Sequence, residues 1–287
     1  MLVSSTNSPG NEQADRSAAI SGAGLGLRRV MASQFSEATP NEVNFLEVAP
    51  ENWIGLGGRF AKQLRAITER TPLVAHGLSL SIGGPAPLDE TLVHEIKKFM
   101  ALHQISIYSE HLSYCSDGGQ LYDLLPMPFT EEAVMHTATR VKRVQDILEQ
   151  RITLENASYY LSPQQSLSEA EFITAVIDEA DCNMLLDINN VYVNSTNHGY
   201  DAMTFIRQMP AEKIIYFHIA GHYLEHDGII VDTHGADVID PVWALLDQTY
   251  TEIGLKPTLL ERDFNIPAMD TLLREVKQIH QAQQAFI

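Results

Sequence analysis

Metal-binding side chains recur along this chain, each at the end of a short apolar stretch. The stretches are VAHG with His76, SEHLS with His111, ITLENA with Glu155, LLDINN with Asp187, YFHIAG with His218 and LLERD with Glu261. A separate DTH segment carries Asp232 and His234. Ionisable groups are costly at the margin of an apolar core unless a cation or another partner compensates them. Their recurrence therefore predicts one convergent, polynuclear metal site.

Each of these residues also has a plainer interpretation when it is taken alone. A single strand-end histidine such as His76 is more often structural, and ENA, DINN or ERD can be a strand-end cap or a surface turn. The combination at successive strand ends, together with the Asp-x-His pair at 232 and 234, favours metal binding over coincidence.

The types of donor atom narrow the choice of metal. Imidazoles and carboxylates without thiolates suit zinc, iron or manganese, and a carboxylate can bridge two adjacent ions. Glu155 lies midway through the series and is the bridging candidate. The two cysteines, Cys115 and Cys182, form neither a CxxC motif nor a disulfide framework. This usage is typical of a reducing compartment, and we expect a cytoplasmic protein.

Eight apolar runs of strand length alternate with amphipathic stretches of helical length. The runs are GAGLGL near 22–27, NFLEVA near 44–49, PLVAHG near 72–77, ISIYSEHL near 105–112, RITLENA from Arg151, NMLLDINN from Asn183, KIIYFHIAG from Lys213 and PTLLERD from Pro257. This alternation predicts an α/β protein, a (β/α)8 TIM barrel, in which the carboxyl ends of all strands surround one opening. A doubly wound open sheet is the structural alternative, but GAGLGLRR lacks the glycine spacing of a dinucleotide-binding loop.

The domain organisation that we predict is simple. Residues 1–20 form a polar, disordered tail, and residues 21–287 form a single catalytic barrel. The connections after the fourth and seventh predicted strands are long, and long βα loops commonly build the walls of an active site.

Charge and hydropathy exclude two classes of partner. The formal net charge of -18, without a basic run, argues against nucleic acid, because phosphate backbones are bound by clustered lysines and arginines. The opening residues lack the apolar segment of a signal peptide, and no stretch reaches membrane-spanning length, so we expect no membrane association.

Three further polar residues lie close to the predicted strand ends. Glu47 and Glu51 stand near the end of the second strand, where a carboxylate can touch the metals, support their ligands or face solvent. Of the two, Glu51 is the candidate for the site. His222 follows His218 by four residues in a strand-to-loop transition, and we interpret it as a substrate contact or a packing residue rather than a ligand.

Several longer sequence segments resemble those of a known family. The chain resembles the multinuclear non-haem iron-dependent oxidative enzymes, whose characterised members modify cysteines in ribosomally made peptides, as in methanobactin biosynthesis. The phrases that carry the resemblance, in order, are AHGLSLSIGG, YSEHLSY, LENAS, LLDINNVYVN, FHIAGH, DTHG and LLERD. The resemblance extends from about Gly22 to near the C-terminus. The chain is also similar, more distantly, to xylose-isomerase-like metal barrels, including the apurinic endonucleases.

The resemblance implies specific ligand sets. One iron would lie near His76, His111 and Glu155, a second would be held by Glu155, Asp187, His218 and Glu261, and a third would lie near Asn190, Asp232 and His234. Among these residues, Glu155, Asp187 and His218 would be catalytic. The endonucleases present a histidine where this chain has Asn190, and an amide oxygen at that place favours iron over zinc.

The resemblance also implies the reaction and its participants. Two or three iron ions in mixed Fe(II) and Fe(III) states would act with O2 as co-substrate to oxidise a cysteine-containing precursor peptide. A separate partner protein would recognise the leader of that peptide. Two alternatives remain open at this point: a divalent-metal hydrolase or isomerase of the same barrel class, and a metal-binding scaffold without catalytic activity.

Overall fold

The computed structural model describes residues 20–117, 119–161, 164–226 and 228–286. In chain order its strands are β1 (Ala23–Gly26), β2 (Phe45–Val48), β3 (Leu73–His76), β4 (Tyr108–His111), β5 (Tyr114–Ser116), β6 (Gln120–Leu125), β7 (Thr153–Glu155), β8 (Asn183–Asp187), β9 (Ile214–Ile219), β10 (Tyr223–Leu224), β11 (Ile230–Val231) and β12 (Thr258–Leu260). Eight of them close into a parallel barrel in the order β1-β2-β3-β4-β7-β8-β9-β12. This confirms the predicted TIM barrel. The predicted tail lies outside the described residues, apart from Ile20.

Helices cover the outside of the barrel. They are α1 (Ala32–Glu37), α2 (Gly58–Thr68), α3 (Glu90–His103), α4 (Glu131–Leu148), α5 (Glu169–Ala180), α6 (Ile188–His198), α7 (Ala202–Ile206), α8 (Asp240–Ile253) and α9 (Met269–Gln284). Side-chain caps set where several begin. Asp89 accepts from the backbone of Leu92 at the start of α3, and Ser168 and Glu171 form a reciprocal capping box on α5. Among the described helices, none is long and apolar enough to cross a membrane.

The two long connections contain small antiparallel hairpins. Strands β5 and β6 pair in the connection after β4, and β10 and β11 pair in the connection after β9. Both connections leave the carboxyl-terminal rim of the barrel, so each hairpin stands beside the barrel opening.

The register of the strands places the predicted ligands at one end of the barrel. His76 pairs with Ser109 of the next strand, and His111 pairs with Glu155. On the other side of the barrel, Asp187 pairs with His218. Because parallel strands in register bring their carboxyl ends to the same edge, residues that are far apart in sequence become neighbours here.

The barrel interior has two layers, which follow from the period of two along a strand. The lower one, here called the inner apolar layer, consists of Phe45, Val74, Ile107, Leu185, Tyr216 and Leu259. A Cβ on Gly24 would lie 2.5 Å from the Phe45 ring, so a glycine in β1 makes room for this aromatic side chain. The inward positions two residues further along the strands are polar and buried, and we call them the polar ring: Glu47, His76, Ser109, Glu155, Asp187, His218 and Glu261.

Candidate metal centre

The first group of possible ligands comes from three adjacent strands. His76, His111 and Glu155 bring one ligand atom each to within 4.8 Å of one another. The Nε2 atoms of the two histidines are 3.1 Å apart. The Oε2 atom of Glu155 lies 3.2 Å from His76 Nε2 and 3.4 Å from His111 Nε2. Three possible ligand atoms therefore lie close enough together to share one metal ion.

The second group adjoins the first and shares Glu155 with it. It consists of Glu155, Asp187, His218 and Glu261, and all four are buried. His218 Nδ1 lies 3.5 Å from Glu155 Oε1, 3.9 Å from Asp187 Oδ2 and 3.1 Å from Glu261 Oε2. Glu155 directs one oxygen toward each group, which is the geometry of a carboxylate that bridges two ions.

The third group forms around His234 and shares Glu261 with the second. The Nδ1 atom of His234 lies 3.3 Å from Glu261 Oε2 and 3.2 Å from Asp263 Oδ2, and these three residues make up the group. The other ring nitrogen, Nε2, lies 2.7 Å from Asp232 Oδ1. The structure thus brings the predicted pair Asp232 and His234 together, and it adds Asp263, which was not among the predicted ligands.

Asn190 lies in the first turn of α6, directly after β8. Its backbone N–H donates to Asp187 Oδ1 at 2.7 Å, and its side-chain Nδ2 donates to the Asn156 carbonyl at 3.0 Å. The amide oxygen is buried and makes no hydrogen bond within the described chain. Since Nδ2 is committed to Asn156, the orientation of the amide is fixed and leaves this oxygen available as a ligand.

The charged groups of the centre shift one another's pKa values. Burial lowers the pKa of His76, but the charge of Glu155 more than offsets this effect, and the pKa rises to about 9. Burial opposes ionisation of Glu155, yet the charges of His76 and His111 hold its pKa below the usual range. Burial and the charge of Glu155 raise the pKa of Asp187 well above its usual value. Protons on buried groups thus balance charges that metal cations would otherwise balance.

Unsatisfied polar atoms test whether metals fit this centre. A buried polar atom without a hydrogen bond costs about 1–3 kcal/mol, so native proteins contain few of them. Across the described ranges, ten buried side-chain atoms lack such a partner. Six of the ten belong to predicted ligands: His111 Nδ1, Glu155 Oε2, Asp187 Oδ2, Asn190 Oδ1, His218 Nδ1 and His234 Nε2. Five of these six, all but that of Asn190, lie within ion-pair distance of a neighbouring side chain but outside hydrogen-bond geometry. Their concentration in one place fits bound cations.

The two predicted substrate contacts lie outside the three groups. Glu51 accepts from the backbone N–H groups of Leu78 at 2.8 Å and Ser79 at 3.0 Å, and so holds the loop after β3. The Nδ1 atom of His222 lies 2.8 Å from Asn189 Oδ1, and the side-chain Nδ2 of Asn189 donates to Asp232. His222 therefore supports a predicted ligand through one intervening side chain. Whether either residue contacts a substrate stays a prediction.

Two carboxylates of the site were not among the predicted site residues, because the sequence analysis chose Glu51 over Glu47 and did not consider Asp263. Glu47 occupies the polar ring, and its Oε2 lies 3.0 Å from His218 Nε2. The signal that could have found it is its position two residues after Phe45, which places both side chains on the same face of β2. Asp263 follows β12 as the residue two after Glu261, and it forms an ion pair with Arg28.

Solved structures show what this fold is similar to. A D-psicose 3-epimerase from Clostridium cellulolyticum H10 is 12% identical with a TM-score of 0.59, covering 92% of this chain and 96% of that chain. Endonuclease IV from Thermus thermophilus is 14% identical with a TM-score of 0.56, covering 92% of this chain and 99% of its own. At such low identity the likeness concerns the fold alone.

Sequence relatives are much closer. A UPF0276 protein of Shewanella sediminis is 60% identical over 262 residues, which are 91% of this chain and 94% of that protein. A UPF0276 protein of Pseudomonas aeruginosa is 52% identical, covering 92% of this chain and 93% of its own. Residues 22–284 match the family described as RiPP precursor modification enzyme MbnB/TglH/ChrH, RiPP denoting a ribosomally synthesised and post-translationally modified peptide. This chain therefore belongs to the MbnB/TglH/ChrH family of RiPP precursor modification enzymes.

Proposed function

We propose that this protein is a multinuclear non-haem iron enzyme that uses O2 to oxidise cysteine residues in a ribosomally synthesised precursor peptide. The observation that carries the proposal is the linkage of three ligand groups by shared carboxylates. Glu155 belongs to the first and second groups, and Glu261 belongs to the second and third. A set of isolated structural metal sites would not require shared ligands.

The donor atoms fit iron. Every member of the three groups offers an imidazole nitrogen or a carboxylate oxygen, and the amide oxygen of Asn190 lies free beside Asp187. Bound iron would supply the redox equivalents and would lower the pKa of a coordinated thiol. A four-electron oxidation of the peptide would balance the reduction of one O2 to two water molecules.

The protein's own residues would then hold the ligands in place. Asn156 clamps Asp187 through two bonds, since its Nδ2 donates to the Asp187 carbonyl at 3.0 Å and its Oδ1 accepts from the Asp187 N–H at 2.9 Å. Ser158 donates to Asp232 at 3.0 Å. The loop after β7 therefore positions two of the predicted ligands, a supporting role that commonly matters nearly as much as ligation itself.

The rim of the barrel suits a peptide. Large apolar side chains stand exposed in the connections that follow β7, β9 and β12, including Leu161 at 71%, Leu224 at 61% and Phe264 at 64%. The backbone N–H of Asp232 donates to the Tyr160 hydroxyl at 2.8 Å, which ties two of these loops together. Exposed apolar patches near a polar site commonly mark a surface for a macromolecule rather than a small sugar.

The partners follow from the family and from this rim. Membership in a family of precursor-modifying enzymes supports a peptide substrate. We propose that a separate partner protein recognises the leader of that peptide, and that nucleic acid is not a substrate because the chain carries a formal net charge of -18. The cytoplasmic location stays a prediction.

Turnover under controlled oxygen tests the proposal. Protein loaded anaerobically with Fe(II) is mixed with a cysteine-containing precursor peptide and its recognition partner, and both O2 uptake and peptide mass are followed. We expect oxygen consumption together with a decrease in peptide mass that corresponds to lost hydrogen atoms. A peptide in which serine replaces the cysteine should show neither change. Turnover with zinc or manganese that needs no oxygen would instead support a hydrolase or isomerase.

A further inference from the structure

A continuous chain of hydrogen bonds lies beneath the metal centre and connects two of its histidines. His76 Nδ1 lies 2.7 Å from Ser109 Oγ, which lies 2.8 Å from the Tyr216 hydroxyl. That hydroxyl donates to Glu47 Oε2 at 3.1 Å, and His218 Nε2 reaches the same oxygen at 3.0 Å. We call these five residues the buried relay: His76, Ser109, Tyr216, Glu47 and His218.

The buried relay is closed to bulk water. His76 is 3% exposed, Glu47 is 1% exposed, and the other three members are 0% exposed. Water therefore cannot replace a missing partner at low cost, and each hydrogen bond acts in a medium of low dielectric constant. The relay crosses the barrel, because its members belong to β2, β3, β4 and β9.

The chemistry of the groups fixes the direction of each hydrogen bond. A carboxylate only accepts, so Glu47 Oε2 receives both the Tyr216 hydroxyl proton and a proton on His218 Nε2. With its own proton committed, the Tyr216 oxygen accepts from Ser109. Ser109 Oγ also lies 3.3 Å from the Ala75 carbonyl, which is the longer and weaker of its two choices as a donor. Ser109 in turn accepts from His76 Nδ1.

This ordering leaves the right nitrogen free on each histidine. With Nδ1 protonated, His76 presents Nε2, the atom that lies 3.2 Å from Glu155 Oε2 in the first ligand group. With Nε2 protonated, His218 presents Nδ1, the atom that lies 3.1 Å from Glu261 Oε2 in the second. The two histidines thus use opposite tautomers, and one carboxylate selects both.

We propose that Glu47 is a positioning residue that sets the tautomers of His76 and His218, and so tunes two metal groups at once through the buried relay. The inference rests on the metal-binding part of the proposed function and not on its redox chemistry. The effect on His218 is direct, whereas the effect on His76 passes through Tyr216 and Ser109. A hydrogen-bonded carboxylate also raises the basicity of the imidazole that ligates the metal.

The asymmetry of the relay makes the proposal specific. Glu47→Gln removes the charge and keeps the size, so it should weaken both the first and the second metal group. Tyr216→Phe breaks only the hydrogen-bond connection between Glu47 and His76, so it should weaken the first group alone. Tyr250→Phe is the matched control, because Tyr250 is equally buried and its hydroxyl bonds to Thr258, at the start of β12 and outside the relay.

The test uses zinc as a diamagnetic probe of the full chain. Nitrogen-15 NMR of the zinc-loaded protein, labelled at histidine, reports which ring nitrogen carries a proton, and zinc titration against a competing chelator reports affinity. We expect protonated Nδ1 on His76 and protonated Nε2 on His218. Affinity should fall about 10–100-fold at both groups in Glu47→Gln and at one group in Tyr216→Phe.

Three results would overturn the inference: the opposite tautomers, unchanged zinc affinity in Glu47→Gln, or equal losses at both groups in Tyr216→Phe. Ser109→Ala breaks the same hydrogen-bond connection as Tyr216→Phe, and it replaces that variant if Tyr216→Phe does not fold. Wild-type protein that binds no metal would instead contradict the proposed function. Failure of the inference about Glu47 and failure of the proposed function are therefore distinguishable.

Discussion

The two layers of the barrel interior differ sharply in chemistry, although they lie two residues apart on the same strands. In β3, β8 and β12 the inner apolar layer has Val74, Leu185 and Leu259, and the polar ring follows with a histidine or carboxylate at the end of each strand or directly after it. The lower layer gains free energy by burial, whereas the upper one bears a desolvation cost that ion pairs offset and that bound cations would offset in the proposed centre. In this barrel, stability and ligand binding are therefore assigned to different depths of one core.

The largest expected effect is the loss of metal when Glu155, the carboxylate shared by two groups, is removed. Glu155→Ala deletes a ligand of two groups at once and should reduce metal affinity by at least about 100-fold, since even a supporting residue costs about 10–100-fold. The barrel should stay folded, because the inner apolar layer is untouched. Metal analysis and circular dichroism check both parts. Unfolding of the variant would mean that Glu155 supports the core instead.

A substitution in the inner apolar layer should reduce stability without reducing metal binding. Leu185→Ala removes a fully buried side chain from the inner apolar layer and should lower the free energy of unfolding by about 2–5 kcal/mol. The metal content per folded chain should stay at the wild-type value. Urea unfolding, followed by metal analysis of the folded fraction, measures both. A proportional loss of metal would show that the layers are not independent.

Metal binding in the polar ring should depend on pH. Burial disfavours the charged form of His76, but Glu155 more than offsets this and raises the pKa to about 9 in the metal-free protein. A metal ion at His76 must displace that proton below this pH, so affinity should rise with pH between about 7 and 9, by roughly tenfold per unit for one proton. Chelator competition at several pH values measures it, and a flat profile would contradict it.

The same shift predicts the opposite trend for the stability of the metal-free protein. The folded pKa of about 9 lies above the ordinary value of 6.5, so protonation of His76 favours the folded state. That contribution is fully present below about pH 6.5 and is lost as the pH rises toward 9. The thermal stability of chelator-treated protein should therefore decrease over this range. A rise in thermal stability over this pH range would show that protonation of His76 does not stabilise the folded state.

The smallest effect is expected at the outer rim. Leu224→Ser changes a side chain that is 61% exposed and lies beyond both layers. It should raise the KM for the precursor peptide by a few fold, because about 1 kcal/mol of apolar contact is lost, and leave metal content unchanged. Leu102→Ser is the matched control, since Leu102 is also 61% exposed but lies in the last turn of α3, at the opposite end of the barrel. Equal effects at both ends would contradict a peptide surface at the rim.

Much of the centre was accessible from the sequence because its signal is local. Most barrel strands are short apolar runs, and His76, Glu155 and Asp187 each end one of the strands. The choice of Glu51 over Glu47 shows where local signals fail. The two lie four residues apart, and Glu47 is assigned to the polar ring only once Phe45 is known to face into the closed barrel.

Other features depend on contacts that no short segment encodes. Asp263 joins His234 because a loop after β9 folds back onto the loop after β12, where the Asp263 N–H donates to the His234 carbonyl at 2.9 Å. The buried relay likewise requires residues from four strands to meet across the barrel. Spacing in the sequence predicts which residues face inward, but not which of them touch.

The most direct test of a shared-carboxylate centre is a count of the iron bound by the wild-type chain and by Glu155→Ala. Both proteins are loaded anaerobically with Fe(II), freed of excess metal and analysed for iron per folded chain. We predict two or three ions in the wild type and a loss of more than one ion on this single substitution, because Glu155 serves two groups. Equal iron in the two proteins would contradict such a centre.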